Sequence, residues 1–371
     1  MIIKNGMVFQ ENRTFVKQDL YIEKGKIAEN LCQLTDTGEI DATDLYVLPG
    51  LIDIHSHGAV GHDFSDANPE GLKEILKYEY AHGVTSYCPT SMTVEKERLS
   101  KAFHSMKDWQ DSEGMAHVAG LNMEGPFLDA SKKGAHKSEY ILPPNVDFFR
   151  ECNRACGNLI RLVTLAPNMK GALDFIRKLK EETVISLGHS AADYEISKAA
   201  FREGACHVTH LYNAMNPMEH RAPGLIGAAA EQENCTAELI CDGIHVHESM
   251  IRAAFKLFPG RICLISDSMR AAGMENGVYD LGGQQVTVKG RLATLSDGTI
   301  AGSASNLFDC MRNAVSFGIP LGEAIAAATM IPAKSIGIYH ETGSLTHGKR
   351  ADIILVTKEL KLVKVLKGAA V

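Results

Sequence analysis

The sequence lacks a paired cysteine motif, although it contains nine cysteines in 371 residues. These cysteines are scattered from Cys32 to Cys310, and their number is odd. Cys152 and Cys156 lie one helical turn apart, but no second pair accompanies them to complete a zinc site. We therefore predict reduced, mostly buried thiols rather than a disulfide framework.

Long hydrophobic runs and blocks of like charge are also missing. No apolar stretch is long enough to cross a bilayer, and residues 1–6 lack the basic segment and apolar run of a secretory signal. The formal net charge is −7, and no run of lysine and arginine indicates a nucleic-acid surface. We expect a cytoplasmic protein without membrane or nucleic-acid partners, in which an anionic substrate would need a local pocket of positive groups.

What the chain does contain is an alternation of short apolar strands with longer segments of helical period. Eight strands can be counted, at residues 51–55, 84–88, 118–123, 159–165, 184–187, 207–211, 237–241 and 262–265. Helical spacing fills most of the gaps, for example at residues 69–81, 94–109, 173–181 and 194–201. Eight βα units predict an α/β protein built as a (β/α)8 TIM-type barrel.

Both chain ends carry a different pattern, in which short β-prone runs are separated by polar turns. We predict that residues 1–50 and 343–371 together form a small β-sandwich-like domain, and that residues 51–342 form the barrel. Alternating runs around Lys289-Gly290 and Asp297-Gly298 predict a β-hairpin insertion near residues 279–299.

Metal-binding residue types recur where the predicted barrel strands end, at the face on which barrel enzymes keep their active sites. They are His55, His57, Glu124, His189, His210, His245 and Asp267. Residues i and i+2 of a strand point to the same side, so His55 and His57 can bind one ion together. Three protein ligands and an open position are the usual arrangement for hydrolysis. We expect Glu124, His189 and His210 to hold a divalent ion such as Zn²⁺ or Fe²⁺, and the two earlier histidines to hold a second.

Several motifs resemble a known family. The first-strand histidines, the later single histidines and the aspartate of strand eight resemble the amidohydrolase superfamily. Segments 123–127 (MEGPF), 133–136 (KGAH), 188–190 (GHS), 209–215 (THLYNAM) and 242–246 (DGIHV) resemble its N-acetylglucosamine-6-phosphate deacetylases. The match continues through segments 279–284 (YDLGGQ) and 301–304 (AGSA), and so extends over nearly the whole chain.

The resemblance implies hydrolysis of the N-acetyl group of N-acetylglucosamine 6-phosphate, in amino-sugar catabolism and cell-wall sugar recycling. It implies metal binding by Glu124, His189 and His210, catalysis by Asp267, and a homodimer or homotetramer. The implied substrate contacts are Ala135, His136, Asn213, Ala214, Arg221, Asp242, His245, Ile300, Ala301 and Gly302. Two departures matter: some members have Gln-x-Asn at residues 55–57 and use one metal ion, and Thr-Asp-Ala-Met is common at residues 266–269.

The chemistry that these groups can support is amide hydrolysis. A bound metal ion lowers the pKa of its water and polarises the acetyl oxygen, while Asp267 can take and later return a proton. His136, on the loop after the third strand, is a natural donor to the carbonyl oxygen. Arg221 offers a fork of donors that matches a phosphate, unless it is simply a solvated loop charge, and its loop could reach across a dimer interface.

Three alternatives stay open at this point. A cyclic-amide hydrolase usually bridges two metal ions with a carboxylated lysine after strand four, and residues 162–167 contain no lysine. An amino-sugar deacetylase for another hexosamine cannot be distinguished by sequence. A non-catalytic scaffold protein would have lost the ligands or Asp267, and all of these are present.

Overall fold

The computed structural model describes residues 1–30 and 38–368. Cys32 and the last three positions of the predicted C-terminal segment therefore lie outside the described residues. The eight other cysteines have free thiols, and seven of them are buried, as the absence of a pairing pattern predicts.

A parallel barrel occupies the middle of the chain. In order, its strands are Leu51–Ser56, Val84–Ser91, Leu121–Glu124, Ile160–Leu165, Val184–Leu187, His207–Val208, Thr236–Ile240 and Ile262–Ile265. Consecutive strands pair in parallel, and the Asp267 amide, which donates to the His55 carbonyl at 3.0 Å, joins the last strand to the first. The predicted TIM-type barrel with additional sheets from both chain ends is confirmed.

Two barrel strands, the third and the sixth, are shorter than predicted by two or more residues, whereas the second extends to Ser91. A separate short strand, His117–Val118, precedes the third strand, and residues 119–120 between the two belong to neither. The backbone packs closely here, since a Cβ on Gly120 would lie 2.2 Å from the Arg161 side chain. The sixth strand ends at Val208, since the backbone turns into the left-handed region at His210 (φ 28°). The end of the sixth strand lies just before His210, which lines the cavity at the barrel mouth.

Helices surround the barrel, and local sequence signals set their ends. The helices are Pro69–Ala81, Lys96–His104, Val146–Ala155, Ala172–Leu179, Tyr194–Glu203, Gly224–Ala230, Glu248–Leu257, Leu307–Ser316, Leu321–Ala328 and Met330–Ser335. The first begins at Pro69 behind the Asn68 cap, whose side chain accepts from the Glu70 amide, and Gly83 follows its end at φ 86°. No helix in the described residues combines the length and hydrophobicity that a bilayer crossing requires.

Two small sheets are built from the chain ends. One contains, in spatial order, Lys26–Ala28, Leu20–Glu23, Ile2–Lys4 and Glu39–Asp41. The other contains Leu362–Leu366, Ile353–Val356, Tyr46–Pro49, Met7–Phe9 and Phe15–Lys17. Their buried side chains, among them Ile3, Ile22, Val47 and Ile353, form a core of their own beside the larger barrel core. The division of the chain into domains at residues 50 and 343 stays a prediction.

A three-stranded antiparallel sheet lies between the last barrel strand and the final helices. Its strands are Gly277–Leu281, Gln284–Lys289 and Leu292–Thr294, and the Gly58–Ala59 and His62–Asp63 strands form a further hairpin after the first barrel strand. The Gln284 side chain donates to the Ala135 carbonyl, and Leu281 lines the cavity at the barrel mouth. This sheet therefore forms part of one wall of the candidate site.

Candidate metal centre and active site

A cavity of about 500 Å³ opens at the carboxyl ends of the barrel strands. It is lined by residues that include His57, Glu124, Lys132, Lys133, Ala135, His136, His189, His210, Asn213, Ala214, His245, Asp267, Ile300 and Gly302. Most of the residues predicted from the sequence to form the site therefore line one cavity. It lies at the end of the barrel where enzymes of this fold have their active sites.

Glu124 occupies the centre of this site, and its Oε1 atom faces two imidazoles. The distances are 3.2 Å to His189 Nε2 and 3.0 Å to His210 Nε2, and these two nitrogens are 2.9 Å apart. His189 Nδ1 lies 2.8 Å from the Lys132 carbonyl, which can only accept, so Nδ1 carries the proton and Nε2 is available as a ligand. A carboxylate oxygen and two imidazole nitrogens converging in this way fit one divalent ion.

His55 and His57 form a second convergence on the other side of Glu124. His57 Nε2 lies 3.2 Å from Glu124 Oε2 and 3.4 Å from Asp267 Oδ1. His55 Nε2 lies 3.4 Å from Glu124 Oε1 and 3.6 Å from Asp267 Oδ1, and it has no hydrogen-bond partner among the described residues. His57 Nδ1 faces the Thr90 carbonyl at 3.2 Å, which again leaves Nε2 for an ion. The donor set therefore fits one or two ions that share Glu124.

His136 contacts the same carboxylate but has the opposite proton arrangement. The Thr93 backbone amide donates to His136 Nδ1 at 3.1 Å, so Nδ1 has a lone pair and Nε2 carries the proton. That Nε2 lies 3.2 Å from Glu124 Oε2. Burial lowers the pKa of His136 to about 4, so the ring is neutral at physiological pH. It is a hydrogen-bond donor facing the cavity, although its distances alone would also suit a metal ligand.

The electrostatics of the cluster indicate a place for positive charge. Burial would lower the pKa of His57, but the Asp267 and Glu124 carboxylates raise it to about 10. Burial would likewise raise the pKa of Glu124, but His55 and His136 bring it well below its ordinary value. The two carboxylates are thus held ionised in a buried site, and a divalent cation is the kind of charge that such a site accommodates.

Three of the candidate metal-binding and catalytic residues have an unusual backbone conformation. His189, His210 and Asp267 have φ values of 45°, 28° and 47°, in the region that side chains other than glycine rarely adopt. The surrounding backbone holds them there: the Asp129 amide donates to the His189 carbonyl at 3.0 Å, and the Ser303 amide donates to the Asp267 carbonyl at 2.8 Å. Strain held in place at strand ends is a common property of functional sites.

The remaining predicted contacts divide into two groups. Asn213, Ala214 and His245 lie together on the wall formed after the sixth and seventh strands, and Ile300 and Gly302 lie on the cavity wall as well. Asp242 supports this wall from behind, because its carboxylate accepts from His245 Nδ1 at 2.7 Å. Ala301 is buried behind the cavity lining, and Arg221 is exposed on a loop that does not line the cavity of its own chain.

Comparison with known proteins shows which family this chain resembles over most of its length. Residues 46–371 match the amidohydrolase family. The chain belongs to the amidohydrolase family. Its members are metal-dependent hydrolases, as the convergent histidines and carboxylates of the cavity predict.

This amidohydrolase is similar to deacetylases of amino-sugar phosphates. It is 38% identical to the N-acetylglucosamine-6-phosphate deacetylase of Bacillus subtilis (strain 168), covering 98% of this chain and 94% of that protein. It is 35% identical to the N-acetylgalactosamine-6-phosphate deacetylase of Escherichia coli O157:H7, covering 85% of each. The solved N-acetylglucosamine-6-phosphate deacetylase from Pasteurella multocida superposes with a TM-score of 0.92 at 29% identity, covering 99% of this chain and 98% of that one.

Some polar residues of this amidohydrolase were not expected from its sequence. Glu238 is fully buried on the seventh strand and lies 2.9 Å from His55 Nδ1, and Asp53 is fully buried two residues before His55. His207, at the start of the sixth strand, places its ring nitrogen Nε2 3.2 Å from the Glu238 carboxylate. The sequence offers one sign of this buried carboxylate: Glu238 is a charged residue in the otherwise apolar run of residues 237–241, and a buried charge needs partners.

Proposed function

We propose that this amidohydrolase hydrolyses the N-acetyl group of N-acetylglucosamine 6-phosphate and releases acetate and glucosamine 6-phosphate. The observation that carries the proposal is that one cavity holds a convergent ligand set, a separate carboxylate and a neutral imidazole donor around Glu124. These are the parts that amide hydrolysis needs: an activated water, a proton carrier and a stabilised carbonyl oxygen. Among amide substrates we favour an N-acetyl group, because the chain is similar to deacetylases over nearly its whole length.

The proposed metal ligands are Glu124, His189 and His210 for one ion, with His55 and His57 for a second. When bound, a divalent ion such as Zn²⁺ or Fe²⁺ supplies an acidified water and a Lewis acid for the acetyl oxygen. The orientation of the imidazoles supports these roles, because His57 and His189 each direct Nδ1 at a backbone carbonyl and Nε2 at Glu124. Such contacts commonly orient metal-binding histidines.

Asp267 is the proposed general base and acid. Its carboxylate lines the cavity, lies within 3.6 Å of the His55 and His57 imidazoles, and keeps a small exposed fraction of 8%. Burial would raise its pKa, but the His57 and His55 rings lower it, so the group starts the reaction ionised and able to accept a proton. Returning that proton to the amine nitrogen completes departure of the leaving group, which leaves poorly as an anion.

His136 is the proposed donor to the acetyl oxygen. The Thr93 amide fixes its protonated Nε2 toward the cavity, and its low pKa keeps the ring neutral, so it can donate without first losing or gaining a proton. A donor already oriented toward the site of developing negative charge stabilises the transition state without reorganisation.

The sugar phosphate is proposed to lie against the wall that contains Asn213, Ala214 and His245. Burial would lower the pKa of His245, but the hydrogen bond to Asp242 raises it, which favours a cationic ring facing the substrate. Arg221 is exposed and outside its own cavity, so we propose that it completes the phosphate site of a second copy in a homodimer. A cytoplasmic role in amino-sugar catabolism and cell-wall sugar recycling follows from this substrate.

Steady-state deacetylation tests the proposal directly. Acetate release from N-acetylglucosamine 6-phosphate should exceed release from unphosphorylated N-acetylglucosamine in kcat/KM by at least about 100-fold, the loss expected when charge-assisted contacts to a phosphate are absent. Equal rates for both sugars would contradict the substrate. A higher kcat/KM for N-acetylgalactosamine 6-phosphate would support the deacetylation reaction but identify galactosamine, rather than glucosamine, as the sugar of the substrate.

A further inference from the structure

A buried carboxylate lies beneath the candidate metal centre, outside the cavity lining. Glu238 belongs to the seventh barrel strand, Thr236–Ile240, and its side chain is fully buried. Three N–H groups surround its two oxygens: His55 Nδ1 at 2.9 Å, the His210 backbone amide at 3.0 Å and His207 Nε2 at 3.2 Å. A carboxylate in the interior of a barrel is costly unless its partners satisfy it, and here they do.

We propose that Glu238 is a positioning residue that fixes the placement of His55 and His210, one candidate ligand from each of the two metal positions. Its Oε2 atom accepts from the His55 ring, which belongs to one position, and from the His210 backbone, which belongs to the other. One oxygen atom of the seventh strand thereby connects the first strand to the end of the sixth. This inference rests on the proposed metal centre and adds to it a residue that contacts neither the ion nor the substrate.

The contact to His55 determines which ring nitrogen can bind an ion. An ionised carboxylate only accepts hydrogen bonds, so His55 Nδ1 must donate to it, and Nε2 is left facing Glu124 at 3.4 Å and Asp267 at 3.6 Å. Without Glu238, the ring could turn or adopt the other tautomer, with the proton on the nitrogen that should face the ion. Carboxylate partners of this kind fix the ring orientation and basicity of metal-binding histidines.

The contact to His210 supports a backbone segment that the barrel ladder no longer holds. The sixth strand ends at Val208, and His210 has a left-handed φ of 28°. Its amide donates to the Glu238 side chain, and the next amide, of Leu211, donates to the Glu238 backbone carbonyl at 2.8 Å. A single residue therefore anchors the strained turn from which the His210 ring reaches Glu124.

The second carboxylate oxygen ties Glu238 to the opposite end of the barrel. Oε1 faces His207 Nε2, and His207 Nδ1 lies 2.8 Å from the Ser335 hydroxyl on the helix Met330–Ser335. This chain of contacts leaves the carboxylate no free rotation, as a positioning role requires.

Cobalt binding to metal-free protein tests the inference. We expect Glu238→Gln to weaken Co²⁺ binding by about 10- to 100-fold and to change the visible absorption of the bound ion, because an amide cannot accept from all three N–H groups. Glu238→Asp should recover part of the affinity. The matched control is Glu79→Gln, a fully buried acid on the first helix that has no hydrogen-bond partner among the described residues, and its Co²⁺ affinity and spectrum should equal those of the unmodified protein.

The outcomes separate this inference from the proposed function. Unchanged Co²⁺ affinity and spectrum in Glu238→Gln would overturn the positioning role while leaving the metal centre intact. A loss of affinity matched by an equal loss of folded metal-free protein, measured by circular dichroism, would also overturn it, because the role would then be structural. Failure of the unmodified protein to bind Co²⁺ would instead contradict the proposed function itself.

Discussion

Replacing His136 tests whether this ring is a hydrogen-bond donor or a metal ligand, because its distance from Glu124 allows both roles. His136 Nε2 is 3.2 Å from Glu124, as a ligand of a shared ion could be, but the Thr93 amide occupies Nδ1 and leaves the proton on Nε2. His136→Asn keeps an acceptor for the Thr93 amide and removes the distal donor. His136→Gln keeps a donor close to the original Nε2 position.

The expected magnitude follows from the loss of one donor to the acetyl oxygen. Removing such a donor lowers kcat by about 100- to 1,000-fold, or about 3 to 4 kcal/mol in activation free energy. His136→Asn should show this loss with a nearly unchanged KM, and His136→Gln should lose less. Metal content should stay the same in both variants, because Glu124 keeps its contacts to His189 and His210.

Steady-state kinetics and elemental analysis of the same preparations supply the assay. The pKa of His136 is about 4, so its ionisation should contribute nothing to the pH profile above about pH 5, and His136→Gln should keep the acidic limb of the unmodified enzyme. Loss of metal in proportion to activity in His136→Asn would refute the donor role. The ring would then be a ligand, and the proton arrangement inferred from Thr93 would be wrong.

Three further predictions concern other groups. Asp267→Asn should keep its metal and lose most turnover, and retained turnover would reject the proton-carrier role. Mixing Asp267→Asn with Arg221→Ala should restore about a quarter of the activity if Arg221 acts across a dimer, and none if it acts within its own chain. Burial raises the pKa of Glu79 well above 4.5, so the folded state keeps a proton that the unfolded state releases, and stability should fall above about pH 4.5 by up to about 1.4 kcal/mol per pH unit. Glu79→Gln should make this slope shallower in urea unfolding at several pH values, with the remainder due to buried Asp53, whereas exposed Glu74→Gln should leave the slope unchanged.

The barrel could be predicted from sequence because its strands are buried on both faces. Continuous apolar runs such as the one in Ile262–Ile265 are visible without a structure, and each is followed by polar residues at a known face of the fold. The same pattern predicts that Glu124, His189 and His210 converge, and in the structure their ligand atoms lie within 3.2 Å of one another.

Features that depend on long-range packing could not be predicted in this way. Glu238 lies in the middle of an apolar run, and nothing local shows that its partners come from the first and sixth strands. The proton position on His136 depends on the Thr93 amide, 43 residues earlier in the chain. Arg221 occupies a loop whose direction relative to the cavity is set by the fold and not by its neighbours in sequence.

The central claim is that this chain removes the acetyl group of an amino-sugar 6-phosphate by means of metal held at Glu124. The most direct measurement is acetate release from N-acetylglucosamine 6-phosphate by the purified protein, by the chelator-treated protein and by that protein after titration with Zn²⁺ or Fe²⁺. We predict that chelation abolishes acetate release and that one or two equivalents of metal per chain restore it. Full activity in protein shown to be free of metal would contradict it.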